Sequence, residues 1–233
     1  MSGSGVGERL QRLQRRIAEA ALRAGRDPAD VLLVGASKRQ PLELLREAYD
    51  AGLRDFGENH VQEAESKAPQ LPGDVTWHLL GAIQSNKIRR AVERFDALHA
   101  VDRVKTALLL ERRLVDTGQR SRRLEAFLEV NVGGEETKHG FAPDELLASF
   151  GELATLQHLR LVGLMAIPPP SPDPQVTRVH FRSVRALRDR LRERHGDALG
   201  SALSMGMSDD FELAVEEGAT HVRIGTSLFG ARD

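Results

Sequence analysis

Short apolar runs alternate with helix-patterned segments along the whole chain, and this alternation constrains the fold more than any other feature. The runs fall at 31–36, 53–57, 75–81, 97–101, 124–132, 159–167, 201–206 and 221–226. Each is too short and too continuous for a helix and reads as a buried strand of the parallel type. Between them lie patterns of helical period: 8–24 carries Leu10, Leu13, Ile17, Ala20 and Ala21 and stops at Gly25 and Pro28, and Pro41 opens the next with Leu42, Leu44, Leu45 and Ala48. Helices are expected further on at 88–95, 103–115, 143–156, 175–194 and 209–217. About eight strands separated by helices must run parallel, and at this number the sheet closes into a (β/α)8 barrel. An open doubly wound sheet is the alternative, but no Gly-x-Gly-x-x-Gly follows the first strand. The expected architecture is α/β: one TIM barrel over 8–233 with an extra N-terminal helix, preceded by a flexible tail over 1–7.

Composition narrows the function. Lys plus Arg number 33 against 34 for Asp plus Glu, so neither a nucleic acid nor a membrane surface is an expected partner. Cysteine is absent, which removes disulfides and thiol chemistry. No run spans a bilayer and the first residues lack the pattern of a secretory signal, so a cytoplasmic location is expected. The arginine-rich stretch 112–123 has no interleaved aromatics and reads as a solvated helix end. Lysine is sparse, and Lys38, Lys87 and Lys138 all follow strand-like segments, where loops of an α/β fold carry function.

Lys38 is the residue around which chemistry can be built. A period of two places Leu32, Val34, Ala36 and Lys38 on one face, with the amine at the strand's C-terminal mouth. A lysine there can lose its proton and form a Schiff base, although it could also extend into solvent. In such barrels the site lies at the C-terminal strand ends, and the loops after strands seven and eight often bind phosphate. Here those loops are Ser204-Met-Gly206-Met207-Ser208-Asp-Asp and Arg223-Ile-Gly225-Thr226-Ser227, rich in hydroxyls, glycines and backbone amides. Ser208 could equally cap the following helix. Arg223 faces the barrel interior if Val222 and Ile224 face the helices, and it then needs an acceptor, either Glu129 or a ligand. His78, inward by the same parity, reads as a hydrogen-bonded core histidine. No metal-ligand spacing and no Gly-x-Ser-x-Gly elbow is present. A lysine, a phosphate cradle and an inward arginine fit a pyridoxal phosphate site, and they would also suit a Schiff-base aldolase for a phosphorylated sugar.

Several segments then carry a resemblance: Ala36-Ser-Lys38, Phe56-Gly-Glu-Asn59, Trp77-His-Leu-Leu-Gly81 with Gln84-Ser-Asn-Lys87, Val130-Asn-Val132, Gly163-Leu-Met-Ala-Ile167, Ser204 to Asp210 and Val222 to Thr226. In this order they resemble the pyridoxal phosphate homeostasis protein family, barrels of PLP fold type III related to the N-terminal domain of alanine racemase. The resemblance implies that Lys38 holds pyridoxal 5'-phosphate as a Schiff base, with Arg223 beside the pyridine nitrogen and Ser204, Gly225 and Thr226 around the phosphate. Asn59 and the segment near Met207 would line the ring. It further implies a monomeric carrier that buffers PLP or delivers it to apoenzymes, without an established reaction. An arginine at the ring nitrogen disfavours protonation there and weakens the cofactor as an electron sink. A racemase-like enzyme of low activity is the alternative; racemases add a tyrosine base from another domain, and the one tyrosine here is Tyr49. Two positions depart from the family pattern: His60 stands where tyrosine is usual, and the loop at Gly133-Gly134 is more flexible than most.

Overall fold

The computed structural model describes residues 5–118, 124–135 and 139–231, so Lys138 and the part of the arginine-rich stretch from Gln119 to Arg123 lie outside the described residues. Eight parallel strands close on themselves in sequence order, which removes the open-sheet alternative. They are β1 (Leu32–Ala36), β2 (Asp55–Glu58), β3 (Thr76–Leu79), β4 (Ala97–Val101), β5 (Leu124–Glu129), β6 (Leu159–Met165), β7 (Ala202–Ser204) and β8 (His221–Ile224). The helices are α1 (Val6–Arg23), α2 (Leu42–Asp50), α3 (Val61–Lys67), α4 (Ile88–Arg94), α5 (Val104–Asp116), α6 (Pro143–Leu153), α7 (Pro174–His195), α8 (Phe211–Glu216) and a last short turn, α9 (Thr226–Phe229).

The ladder β1–β8 closes the ring through Leu32 opposite His221 and Val34 opposite Arg223. Strand alternation then sorts side chains between two separate interiors. Outward residues such as Phe56, Leu79, Leu98 and Leu128 join the apolar faces of the helices in one continuous core. A smaller apolar cluster, Ala100, Phe127, Val162 and Met165, stands apart from it inside the ring. The strands are shorter than the apolar runs at their C-terminal ends. β7 stops at Ser204 because Gly206, with φ of 95°, turns the chain out of the sheet, and a Cβ there would lie 2.6 Å from that of Ala214.

α1 does the work of a missing helix. The short α9 cannot cover the β8–β1 seam, and α1 packs instead against α8, α9 and α2. Arg9 Nε donates to the Leu228 carbonyl at 2.6 Å, and Arg16 forms a two-pronged pair with Glu212 at 2.9 and 3.2 Å. The helix begins at Val6, ahead of the expected start at Glu8, because Val6 is itself buried at 1% exposure in the outer core. Among the described residues no helix is long and apolar enough to cross a membrane.

Candidate functional site

A cavity of about 320 Å³ opens at the C-terminal ends of the strands, within the size range of ligand pockets. Ala36 and Lys38 enter it from β1, Asn59 from β2, Met207 and Ser208 from the loop after β7, and Arg223, Gly225 and Thr226 from β8. Leu80 and Ile167 supply apolar wall, and Asp209 stands at the edge. The structure thus brings together every site residue expected from the sequence except Ser204.

Lys38 owes its position to a buried support. Ser37 donates its amide to the Gly57 carbonyl at 2.9 Å and its hydroxyl to Glu58 Oε1 at 2.7 Å. Lys67 Nζ clamps the same corner, donating to the Ser37 carbonyl at 2.8 Å and to Glu58 Oε1 at 2.7 Å. Arg39 then takes a left-handed φ of 56°, with its amide donating to Glu63 Oε2 at 2.9 Å. A non-glycine residue holds that conformation when its surroundings over-determine it. Glu58 is fully buried, and burial pushes its carboxyl up to about 7 even against the pull of Lys67. This support was not foreseen from the sequence; its signal is Glu58 sharing the outward face of β2 with Phe56. Lys38 itself is half-buried and makes no hydrogen bond or ion pair among the described residues.

Arg223 is inward and 5% exposed, as parity requires, but Glu129 is not its partner. Nη1 donates to the Ser204 carbonyl at 2.6 Å and to Ser204 Oγ at 2.5 Å, and Nη2 donates to the Ala166 carbonyl at 3.0 Å. The guanidinium thus docks on the strand-end carbonyls of β6 and β7, leaving Glu129 to act only through its field. Burial pulls Arg223 down to about 10, with Asp210 and Glu129 opposing, so it stays charged at neutral pH. Ser204 is fully buried beneath Arg223 and does not line the cavity.

Ser208 is not a helix cap: α8 begins only at Phe211, and it is Asp210 Oδ1 that accepts the Met207 amide at 2.7 Å. The Ser208 hydroxyl instead accepts from the Ser227 amide at 3.3 Å, tying the loop after β7 to the turn after β8. Asn59 sits where the β2 and β3 loops touch; a Cβ on Gly81 would lie 2.2 Å from the Asn59 carbonyl oxygen, so only glycine allows that approach. Beyond Asn59 a smaller cavity of about 180 Å³ continues past His60 to Lys87. Tyr49 is remote from both, donating to Asp74 at 2.7 Å with Arg54 3.9 Å from its ring centre. His78 is a hydrogen-bonded core histidine, as its parity suggested, and does not line the cavity.

An amine, a buried cation, two hydroxyls and small-residue turns facing one cavity can hold an anion and react with a carbonyl. Comparison with known proteins shows the family. The alanine racemase N-terminal domain family matches residues 9–233. A protein of Pseudomonas aeruginosa, 47% identical over 233 residues covering 99% of this chain and 97% of its own, is named pyridoxal phosphate homeostasis protein. One of Aquifex aeolicus with the same name is 44% identical over 97% of each chain. PipY of Synechococcus elongatus, solved with PLP bound, superposes with a TM-score of 0.83 at 41% identity, covering 97% of this chain and all of that one. The chain belongs to the alanine racemase N-terminal domain family and, within it, to the pyridoxal phosphate homeostasis proteins.

Proposed function

We propose that the chain binds pyridoxal 5'-phosphate in this cavity, holding it on Lys38, and serves the cell's PLP supply by storing the cofactor and passing it to apoenzymes. The observation that carries the reading is the convergence of Lys38, Arg223, Ser208, Gly225 and Thr226 on one cavity. The residues fit the group: a half-buried amine without a partner meets an aldehyde, a buried guanidinium meets the ring, and the tied turns at Ser208 and Gly225 meet a phosphate. Lys38 would hold the group through its amine, and bound PLP would supply the aldehyde with which that amine can react.

The surrounding residues favour holding over turnover. Arg223 is a donor that stays charged, so it places positive charge beside the ring and discourages a proton on the ring nitrogen. Racemisation also needs a second acid or base opposite Lys38, and the one tyrosine is bonded elsewhere. The carrier acts as a cytoplasmic monomer in this reading.

Purified protein is expected to show a near-ultraviolet to violet absorbance band that borohydride fixes covalently on Lys38, located by peptide mass. Lys38→Ala should abolish the band; a variant that keeps it refutes the assignment. Lys38-dependent turnover of any amino acid at about 1 per second or faster, an ordinary enzyme rate, would replace the carrier reading with the enzyme one.

A further inference from the structure

Behind the cavity, a single file of hydrogen bonds crosses the barrel interior. Arg223 Nη1 meets Ser204 Oγ at 2.5 Å, and Ser204 Oγ meets His99 Nδ1 at 2.8 Å. His99 Nε2 meets His78 Nδ1 at 2.9 Å, and His78 Nε2 meets Asp55 Oδ1 at 3.0 Å. The file starts on β8, passes to β7, crosses the ring to β4 and β3, and ends at the first residue of β2, on the barrel end away from the cavity. Ser204 and His99 are fully buried and His78 nearly so, so their polar atoms must be satisfied within the file.

The Arg223 end fixes its direction, and the Asp55 end is consistent with it. A guanidinium only donates, so Ser204 Oγ accepts from Arg223 and gives its one hydrogen to His99 Nδ1. His99 then carries its proton on Nε2 and donates to His78 Nδ1, and His78 donates from Nε2 to Asp55. From the other end, a carboxylate only accepts, so His78 donates from Nε2, and a neutral His78 then accepts at Nδ1 in agreement with that assignment. Any reversed link would set two buried hydrogens face to face or leave the Ser204 hydroxyl without an acceptor. Burial above all, with the field of Arg223, holds His99 well below the ordinary histidine range, in the neutral form that the file requires. The Phe127 ring, stacked 4.4 Å from that of His99, fixes the imidazole plane.

We propose that Asp55, His78 and His99 are positioning residues that act through Ser204 to hold Arg223 in one orientation beside the ring of bound PLP. The inference rests on the cavity being the PLP site. A carboxylate at the far end of the barrel then influences the electronic state of a cofactor it does not touch.

The first experiment is nitrogen NMR of the cofactor-free protein labelled in histidine. Neutral Nε2–H tautomers are expected at His78 and His99, and an Nδ1–H tautomer at either overturns the proposal. The second compares PLP-loaded Asp55→Ala and Asp55→Asn with the parent. Asp55→Ala is expected to move the absorbance band and weaken PLP binding three- to tenfold. Asp55→Asn, whose amide oxygen accepts the same bond, should restore both. A purely structural role would lower the unfolding temperature of Asp55→Ala while leaving the band in place, and that outcome refutes positioning. Expected tautomers in a parent protein that binds no PLP would refute the cofactor reading and the positioning role with it. PLP on Lys38 with a band indifferent to Asp55 would refute the positioning role alone.

Discussion

Between strands and helices, Phe56, Leu110, Phe150 and Phe181 are fully buried among other apolar side chains, whereas inside the ring of strands Asp55, His78, His99, Ser204 and Arg223 stand hydrogen-bonded in file. The outer region holds the fold by burial, which has no direction and tolerates exchange of one apolar shape for another. The inner region is held by bonds whose donors and acceptors must all agree. Stability and function are therefore carried by different material, and a substitution in one should leave the other's signature intact.

The largest expected effect tests that separation. Phe181→Ala should cost about 3–5 kcal/mol in urea unfolding, as for other large core truncations, while the band of bound PLP stays in place. A band shift comparable to that of Asp55→Ala would break the comparison.

Next comes pH, where buried titrating groups on either side of the wall have opposite signs. Glu58 is raised to about 7, so its contribution is full below its unfolded value near 4.5 and is lost as pH rises through 7. His221 is lowered to about 4, mainly by burial, so its contribution is full above 6.5 and is lost as pH falls towards 4. Melting temperatures from pH 4 to 8 should thus fall at both ends. Glu58→Gln should flatten the alkaline limb, a change on the order of 3 kcal/mol, and His221→Phe the acid one. Unaltered limbs in these variants would show that other groups set the pH response.

The smallest effect sharpens the site itself. Ser208→Ala should weaken PLP binding by about 1 kcal/mol, roughly fivefold in titration, without moving the band, because in the proposed site Ser208 belongs to the phosphate cradle. Unchanged affinity would remove Ser208 from the cradle.

The outer region was the legible one. Apolar runs and helical periods are local, so Leu10, Leu13 and Ile17 could be placed on one buried face, and the strand parities of Lys38, His78 and Arg223 could be read before any contact was known. The partners of those residues were not legible. Arg223 finds Ala166 at a separation of 57 residues and His99 finds Ser204 at 105, and nothing near either residue records which strand ends meet across a closed ring. Ser204 illustrates this: it is the last residue of β7, fully buried against Arg223, and does not line the cavity. The corner of Glu58, Lys67 and Ser37 escaped notice likewise, because a charge on the outward face of a strand looks solvated until a helix is seen to cover it.

The seam filled by α1 bears on how the chain is made. Its apolar face, with Leu10, Leu13 and Ile17, leaves the ribosome well before its partners on α8, which arrive some two hundred residues later, as the pair Arg16 and Glu212, 196 positions apart, records. At about 5–20 residues per second, that face waits on the order of 10–40 s for its cover. During synthesis the exposed α1 is thus a natural station for a chaperone, and the later-emerging α8 acts as the latch.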